Sequence, residues 1–556
     1  MVLKVKEIDT DILIIGAGAA GCYLAIELLE KSNLNITIVD KGFIKRSGCL
    51  AAGVNALNAY IVDGETEEGY VDYVSKEFKG IVRCDLLLSI AKNLNAVTKK
   101  IESMGLTILK DEKGNYVSRG KRSIKINGEN IKPILYNRLK SLSPNILEGV
   151  NITDYILEDD AVLGGVGFSL REDISYVIKS KVTVCATGGA SGIYRATRDG
   201  KNKHKMWYSP FNTGAGYSMG IRAGAEMTSL EMRFIALRCK DTIAPTGTIA
   251  QGIGARQVNL RGEPYVEKYG APTTDMRLYS TIQENKLGNG PCYLETKGID
   301  KNASKQLFKA YLNMAPMQVL KWIARGESPS THNVEIDGTE PYIVGGHSGS
   351  GYWVDNNRKT TLKNLYAIGD VSGGSPKKYV TGCFAEGKIA SESIIKDIGK
   401  IPSTSNKSYR YLADKYGDLL DGSSSLKLIE EAENRMQNIM DSLAGGKTTH
   451  YEYNEKDLNL ALVKLNELSL EFESLRASCN QHLLYLFEVR DRLLLAKGVI
   501  SHILERKETR WRSYGEFKDY RNISEEFNIY INSIYKNNKF DIIRRNLIKR
   551  NDEYVH

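Results

Sequence analysis

The sequence has little that would hold a metal, a disulfide framework or a membrane span. Its eight cysteines, at positions 22, 49, 84, 185, 239, 292, 383 and 479, never form a CxxC pair. No ligand spacing for an iron–sulfur cluster or a structural zinc is therefore present, and no metal site is expected in this chain. Scattered single thiols fit a reducing compartment. The seven histidines show no HExxH spacing. No stretch approaches the roughly 18 consecutive apolar residues of a membrane helix. The first apolar run, DTDILII at 9–15, opens into glycines and not into a cleavage-like site. A cytoplasmic protein is the expectation. Lysine and arginine number 76 against 67 acidic residues, a net charge of +9. That balance suits an anionic ligand. No basic run with interleaved aromatics appears, so nucleic acid is not an expected partner.

What is present is an ordinary globular composition, 42% hydrophobic and 26% charged over 556 residues. A chain of that length is expected to divide into roughly two to four domains. DTDILII reads as a buried parallel strand, CYLAIELLEKS as the helix after it, and NITIVD as a second strand, together a βαβ unit. Residues 67–106 have helical apolar spacing through Tyr73, Phe78 and Ile90. Short alternating runs at 145–184 predict strands ending in KVTVCATGG. From about 401 the texture changes after the polar linker IPSTSNKS. There Leu465, Leu468, Phe472 and Leu475 recur at helical spacing.

The first motif is Gly16-x-Gly18-x-x-Gly21, between that strand and helix. Glycines there let the backbone turn tightly and approach a pyrophosphate, while the helix N-terminus offers amide donors. An acidic residue about 20 positions on binds the ribose in such folds. Asp40 stands 19 residues after Gly21, at the end of the second strand. Two remote segments select FAD over NAD: Ala186-Thr187-Gly188-Gly189 after VTVC, and LYAIGD at 365–370. Their order resembles the two-dinucleotide-binding flavoproteins. In that pattern the aspartate of the GD pair, here Asp370 after Gly369, contacts the ribityl–pyrophosphate region. The segment GCFAEG at 382–387, with Glu386, resembles the helix N-terminus aimed at the isoalloxazine.

The small residues after Asp40, from Lys41 through Ser47 and Gly48 into RSGCLAAGVNALNAY (46–60), resemble the succinate dehydrogenase/fumarate reductase flavoprotein superfamily. Some members attach FAD covalently to a histidine in this stretch. None is present here, so non-covalent FAD is expected. Within the superfamily, four strings resemble the adenylylsulfate reductase α-subunit family. They are RSGCLAAGVNALNAY, WYSPFNTGAGYSMGIRAGAEMTSLEMRFIALRCKD (207–241), EPYIVGGHSGSGYW (340–353) and ERKETRW (505–511). The resemblance runs through nearly the whole chain and is weakest at 107–180 and 401–460.

The implied reaction is reduction of adenylyl sulfate, or 3′-phosphoadenylyl sulfate, to sulfite plus AMP or 3′,5′-ADP by way of a flavin N5–sulfite adduct. The resemblance assigns Arg238 to substrate binding, Arg277 to a second active-site arginine, His347 to the sulfate, Asn58 to the flavin N5 region and Trp207 to the flavin and substrate channel. Gln251 stands where the family presents an apolar residue toward the adenosine. Together with Lys377 and Lys378, beside the motifs with Lys45 and Arg46, it leaves both nucleotides open.

The family pairs this subunit with a small ferredoxin-like β subunit carrying two [4Fe–4S] clusters, implying an αβ or α2β2 assembly whose clusters lie only in the partner. The expected class is α/β, α+β overall. It comprises a two-dinucleotide-binding FAD domain in two parts (1–234 and 343–400), an inserted capping domain (235–342) and a C-terminal helical domain with a partner-binding tail (401–556). A fumarate reductase or L-aspartate oxidase-like dicarboxylate enzyme, and a flavin electron-relay subunit, are the competing readings.

Overall fold

The computed structural model describes residues 3–196, 206–242, 244–250, 252–402, 407–422 and 424–556. At its centre the strand Lys4–Ile15 runs parallel to Ile36–Asp40 on one side and to Ile174–Cys185 on the other. Ile12, Leu13 and Ile14 are fully buried, as a parallel strand covered on both faces requires. The helix Ala19–Lys31 makes the crossover between the first two strands. Asn145–Glu148 extends the sheet beyond Ile36–Asp40. On the far side the antiparallel strands Ala161–Ser169 and Val150–Glu158 complete it. A late strand, Leu365–Ala367, returns to pair in parallel with residues 183–185.

The register of these strands places the site. Ile15 pairs with both Val39 and Cys185, and Cys185 pairs with Ala367. The carboxyl ends of strands from three distant parts of the chain thus line up, and each runs directly into one of the motifs. Ligands of open α/β sheets bind at such ends.

A second, antiparallel sheet is ordered Leu237–Cys239, Val334–Gly338, Cys292–Leu294, Gln257–Val258. Its helices Thr274–Lys286 and Lys301–Met314 start at side-chain caps, Thr273 accepting from the amide of Met276 and Asp300 from those of Asn302 and Ala303. Four further helices follow at Tyr411–Leu419, Leu426–Leu443, Glu455–Glu473 and Asn480–Glu505. Leu465, Leu468 and Phe472 are buried on one face of the third, as their spacing predicts.

The C-terminal part departs from expectation. Helix stops at Glu505, and a β-hairpin, Ile529–Lys536 with Lys539–Asn546, follows. Its first strand pairs with Met227–Thr228, which pairs in turn with Gly351–Tyr352. Aromatic residues of this C-terminal part pack within the chain: the Tyr530 hydroxyl donates to the carbonyl of Val82 at 2.9 Å, and Trp353 Nε1 donates to the Tyr554 hydroxyl at 3.0 Å. Among the described residues no helix is long and apolar enough to cross a membrane.

Candidate active site

The dinucleotide cradle follows from its glycines. Gly16 has φ +99°, and a Cβ there would lie 2.5 Å from the carbonyl oxygen of Ala186. A Cβ on Gly21 would lie 2.0 Å from the carbonyl oxygen of Gly16. These two let the helix press onto the turn and the turn onto the neighbouring strand. Gly18 is different: its nearest neighbour would be 4.0 Å away. It is not needed for packing, and its lack of a side chain leaves the face open that a pyrophosphate approaches. Asp40 accepts from the Ala17 amide at 2.9 Å and from the Gly42 amide at 2.7 Å, which fixes the loop between strand and helix. Lys41 is held by Glu488 at 2.6 Å and not by this loop.

Gly189 and Asp370 are joined through a residue the sequence did not single out. The Gly189 amide donates to the Tyr208 hydroxyl at 3.0 Å, and that hydroxyl donates to Asp370 at 2.7 Å. Thr187 continues from Ala186, whose amide donates to Ile15, and its carbonyl accepts from the Asn212 amide group at 2.8 Å. Gly188 has φ +78° and a Cβ there would sit 2.6 Å from that same Asn212 nitrogen.

The residues fit FAD by a further observation. The hydroxyls of Ser47, beside Gly48, and of Thr381, in the first turn of the helix Tyr379–Asp397, are buried without a hydrogen-bond partner, as is that of Thr213. Each such orphan costs about 1–3 kcal/mol, and a polar ligand relieves it. No histidine lies in 41–60, and the FAD is held non-covalently.

Two residues are already engaged inside the protein. Glu386 lies within the helix Tyr379–Asp397 and not at its N-terminus; it is fully buried, accepts from the Gly369 amide at 2.7 Å, and pairs with Lys378 at 3.0 Å and Arg358 at 3.3 Å. Lys378 is held in the same way. Its ammonium is fully buried between Glu386 and the carbonyl of Ser372. The two lie along one helix with their charges spent on each other, and together they brace the Gly369–Asp370 turn.

Beyond the cradle stands an aromatic wall. The His347 ring meets Phe234 at 4.8 Å, Trp207 at 5.0 Å and Tyr379 at 5.2 Å between centroids. Its Nδ1 is buried without a partner. Arg238, on the strand Leu237–Cys239, stacks over Trp207 at 5.2 Å. Among the described residues only its Nη1 is bonded, to its neighbour's carbonyl at 3.0 Å, and its Nε has no acceptor. No carboxylate pairs with it among the described residues. Burial pulls its pKa down to about 10. Asn58 accepts from Arg119 at 2.6 Å.

Lys377 makes a short ion pair with Glu77 and bonds the Tyr73 hydroxyl at 3.1 Å. Lys377 and Tyr379 both have positive φ, +56° and +51°, a conformation that costs energy in non-glycine residues and clusters at functional sites. Arg277, on the helix Thr274–Lys286, makes no hydrogen bond or ion pair with this group among the described residues. Gln251 lies outside the described residues. The sequence missed Tyr208, Phe234, Tyr379 and Arg119. Tyr208 and Phe234 carried a signal, their place in the string that holds Trp207 and Arg238; Tyr379 and Arg119 carried none.

His347 has a testable pH signature. Burial first, then the nearby Arg238, depress its pKa to about 4 against the opposing pull of Asp370. The imidazole is therefore neutral at neutral pH. Its contribution to stability is present above the unfolded value near 6.5 and lost as pH falls toward 4, because the unfolded state then binds the extra proton. The expected loss is at most about 3 kcal/mol. Chemical denaturation of His347→Gln across this window should show a flatter pH dependence than the parent. Parallel curves would overturn the assignment.

The family model for the FAD binding domain matches residues 11–383. The adenylylsulfate reductase α subunit of Megalodesulfovibrio gigas is 26% identical, covering 96% of this chain and 94% of its own length. The solved adenylylsulfate reductase of Archaeoglobus fulgidus has a TM-score of 0.94 at 32% identity, covering 100% of this chain and 98% of that one. An adenosine-5-phosphosulfate reductase solved with sulfite as a covalent adduct has a TM-score of 0.93 at 31% identity, covering 100% of this chain and 98% of that one. The chain belongs to the FAD-binding domain family of oxidoreductases and, within it, to the adenylylsulfate reductase flavoproteins.

Proposed function

We propose that this chain is the catalytic flavin subunit of an enzyme that reduces adenylyl sulfate, or its 3′-phosphorylated form, to sulfite, releasing AMP or 3′,5′-ADP. The observation that carries this reading is Arg238, a partly buried guanidinium with no counter-ion among the described residues, set on the same aromatic wall as a neutral histidine beside the FAD cradle. Removing a lone cation from water is costly unless an anion joins it. A planar fork of donors matches a tetrahedral oxyanion. Trp207 and Phe234 exclude water around that charge, which strengthens it.

FAD, held by this cradle and reduced, would supply the two electrons that take the sulfur from the sulfate to the sulfite level. The bond between sulfur and the bridging oxygen breaks, and that oxygen leaves on the mononucleotide. Arg238 offsets the charge on the sulfo oxygens. His347 is placed to donate from a neutral ring, and Asn58 orients the group facing the flavin. Arg277 is kept, on the resemblance, as a second active-site arginine, and Lys377 as a candidate for binding the nucleotide. The electrons enter from a ferredoxin-like iron–sulfur partner in an αβ or α2β2 assembly, since the eight cysteines of this chain are never paired at cluster spacing.

The test is a reduced methyl viologen assay of the FAD-loaded chain with its partner. Adenylyl sulfate, 3′-phosphoadenylyl sulfate and fumarate are compared, and sulfite release is measured. Turnover with one sulfonucleotide and none with fumarate is expected. Absence of sulfite from both nucleotides would sink the reading, and dye oxidation by fumarate alone would replace it with a dicarboxylate enzyme.

A further inference from the structure

Arg119 sits in a turn that the fold holds from both sides. Its amide donates to the carbonyl of Ser123 at 2.7 Å. The strand that follows, Ile124–Asn127, pairs with Ala56–Leu57, immediately before Asn58. The carbonyl of Arg122 accepts from the Tyr60 amide at 3.1 Å, just beyond it. The turn is therefore zipped onto the segment that carries Asn58, and the side chain closes the gap with its 2.6 Å bond to Asn58 Oδ1.

An amide oxygen is a neutral partner for a guanidinium, and no carboxylate pairs with Arg119 among the described residues. Its neighbours behave differently: Lys121 and Arg122 both reach Glu65, at 3.5 and 3.8 Å. Arg119 alone of the three is turned inward and left without a counter-charge. Burial pulls its pKa down, and the group it senses is Tyr379. Tyr379 senses Arg119 and Arg238 together and stacks edge-on to His347. Two guanidiniums without counter-ions among the described residues thus act on the same tyrosine, one from the turn before Ile124–Asn127 and one from the strand Leu237–Cys239.

We infer that Arg119 is an oxyanion-binding residue of this site, held there by its bond to Asn58, and that it takes a tetrahedral oxyanion group of the substrate. This rests on the function proposed above and narrows it: the substrate must bring more negative charge than one arginine neutralises. Both ends of a sulfonucleotide offer that chemistry, the sulfo group and the phosphate. The four unbonded N–H donors of a guanidinium that spends one on Asn58 suit either.

The experiment uses the FAD-loaded full chain and the variants Arg119→Met and Arg119→Lys. Sulfite binding is read from loss of the oxidised-flavin absorbance band. AMP and 3′,5′-ADP binding are read by calorimetry. Arg119→Met should weaken one of these ligands by about ten- to hundredfold, with Arg119→Lys in between because it keeps the charge and loses the fork. A change confined to sulfite places Arg119 at the sulfo end, and one confined to the mononucleotides places it at the phosphate. If Arg119→Met lowers the melting temperature while all dissociation constants stay within about twofold, a margin well below a lost charged hydrogen bond, Arg119 is only structural and the inference is overturned. A parent protein that binds neither sulfite nor mononucleotide overturns the proposed function as well.

Discussion

Replacing Arg238 by methionine is expected to lower kcat/KM for the sulfonucleotide by about three orders of magnitude while leaving FAD content unchanged. The size follows from what the side chain offers. Removing one preorganised donor from a developing oxyanion typically costs about 10²–10³ in rate, and a guanidinium contributes a full charge besides. The separation of effects follows from where the residue sits. Arg238 belongs to the second sheet, on Leu237–Cys239, and the only hydrogen bond of its side chain among the described residues is to the adjacent carbonyl. Nothing in the cradle leans on it. The Gly16 turn, the Tyr208–Asp370 link and the Glu386 brace are built from other segments. Methionine keeps the length of the stem over Trp207 and removes only donors and charge. Steady-state assays with reduced dye, alongside the flavin-to-protein absorbance ratio, check both halves. Normal turnover would remove Arg238 from the site, and loss of FAD would move it into the cradle.

The two classes of residue differ in how far a sequence reader can see them. Gly16, Gly18 and Gly21 are legible because a tight turn between a strand and a helix imposes both residue type and spacing. The late motif is legible for the same reason: Gly369 has φ +74°, and its place after a short buried strand marks a strand end. The helix Glu455–Glu473 is legible because Leu465, Leu468 and Phe472 repeat with its period. The rest depends on what meets across the fold. Tyr208, which also bonds Gly189, reaches Asp370 across 162 residues, and no local pattern announces such a bridge. Arg119 falls where the chain's resemblance to its family is weakest, and its meaning comes from a strand pairing with residues 56–57 that periodicity does not reveal. The burial of Lys378 escapes a sequence reading because charged side chains are seldom fully buried. It is buried here because Glu386 stands two helical turns further on and takes its charge. The C-terminal hairpin escapes a sequence reading because its first strand is fixed by pairing with Met227–Thr228, far away in the chain.

That buried brace yields the second large effect. Glu386→Ala should destabilise the protein by about 3–5 kcal/mol, because removing one member of a buried ion cluster strands the others without compensation. Lys378 and Arg358 are both fully buried, so neither can turn to solvent. Against a typical total of about 5–15 kcal/mol, the loss is a large fraction of stability. It also frees the Gly369 amide, which donates to Glu386 at 2.7 Å, so the Gly369–Asp370 turn loses its fixed conformation and FAD retention falls with it. Glu386→Gln keeps the acceptor for that amide and loses only the charge. It should therefore retain more FAD than Glu386→Ala at a similar cost to the ion cluster. Adding Lys378→Met to Glu386→Gln removes one stranded cation and should recover part of the lost melting temperature, although each change alone destabilises. Differential scanning calorimetry, with flavin fluorescence to follow release on heating, separates the two consequences. A Glu386→Ala protein with unchanged melting temperature and full FAD would show that the turn is held by the Tyr208 link alone.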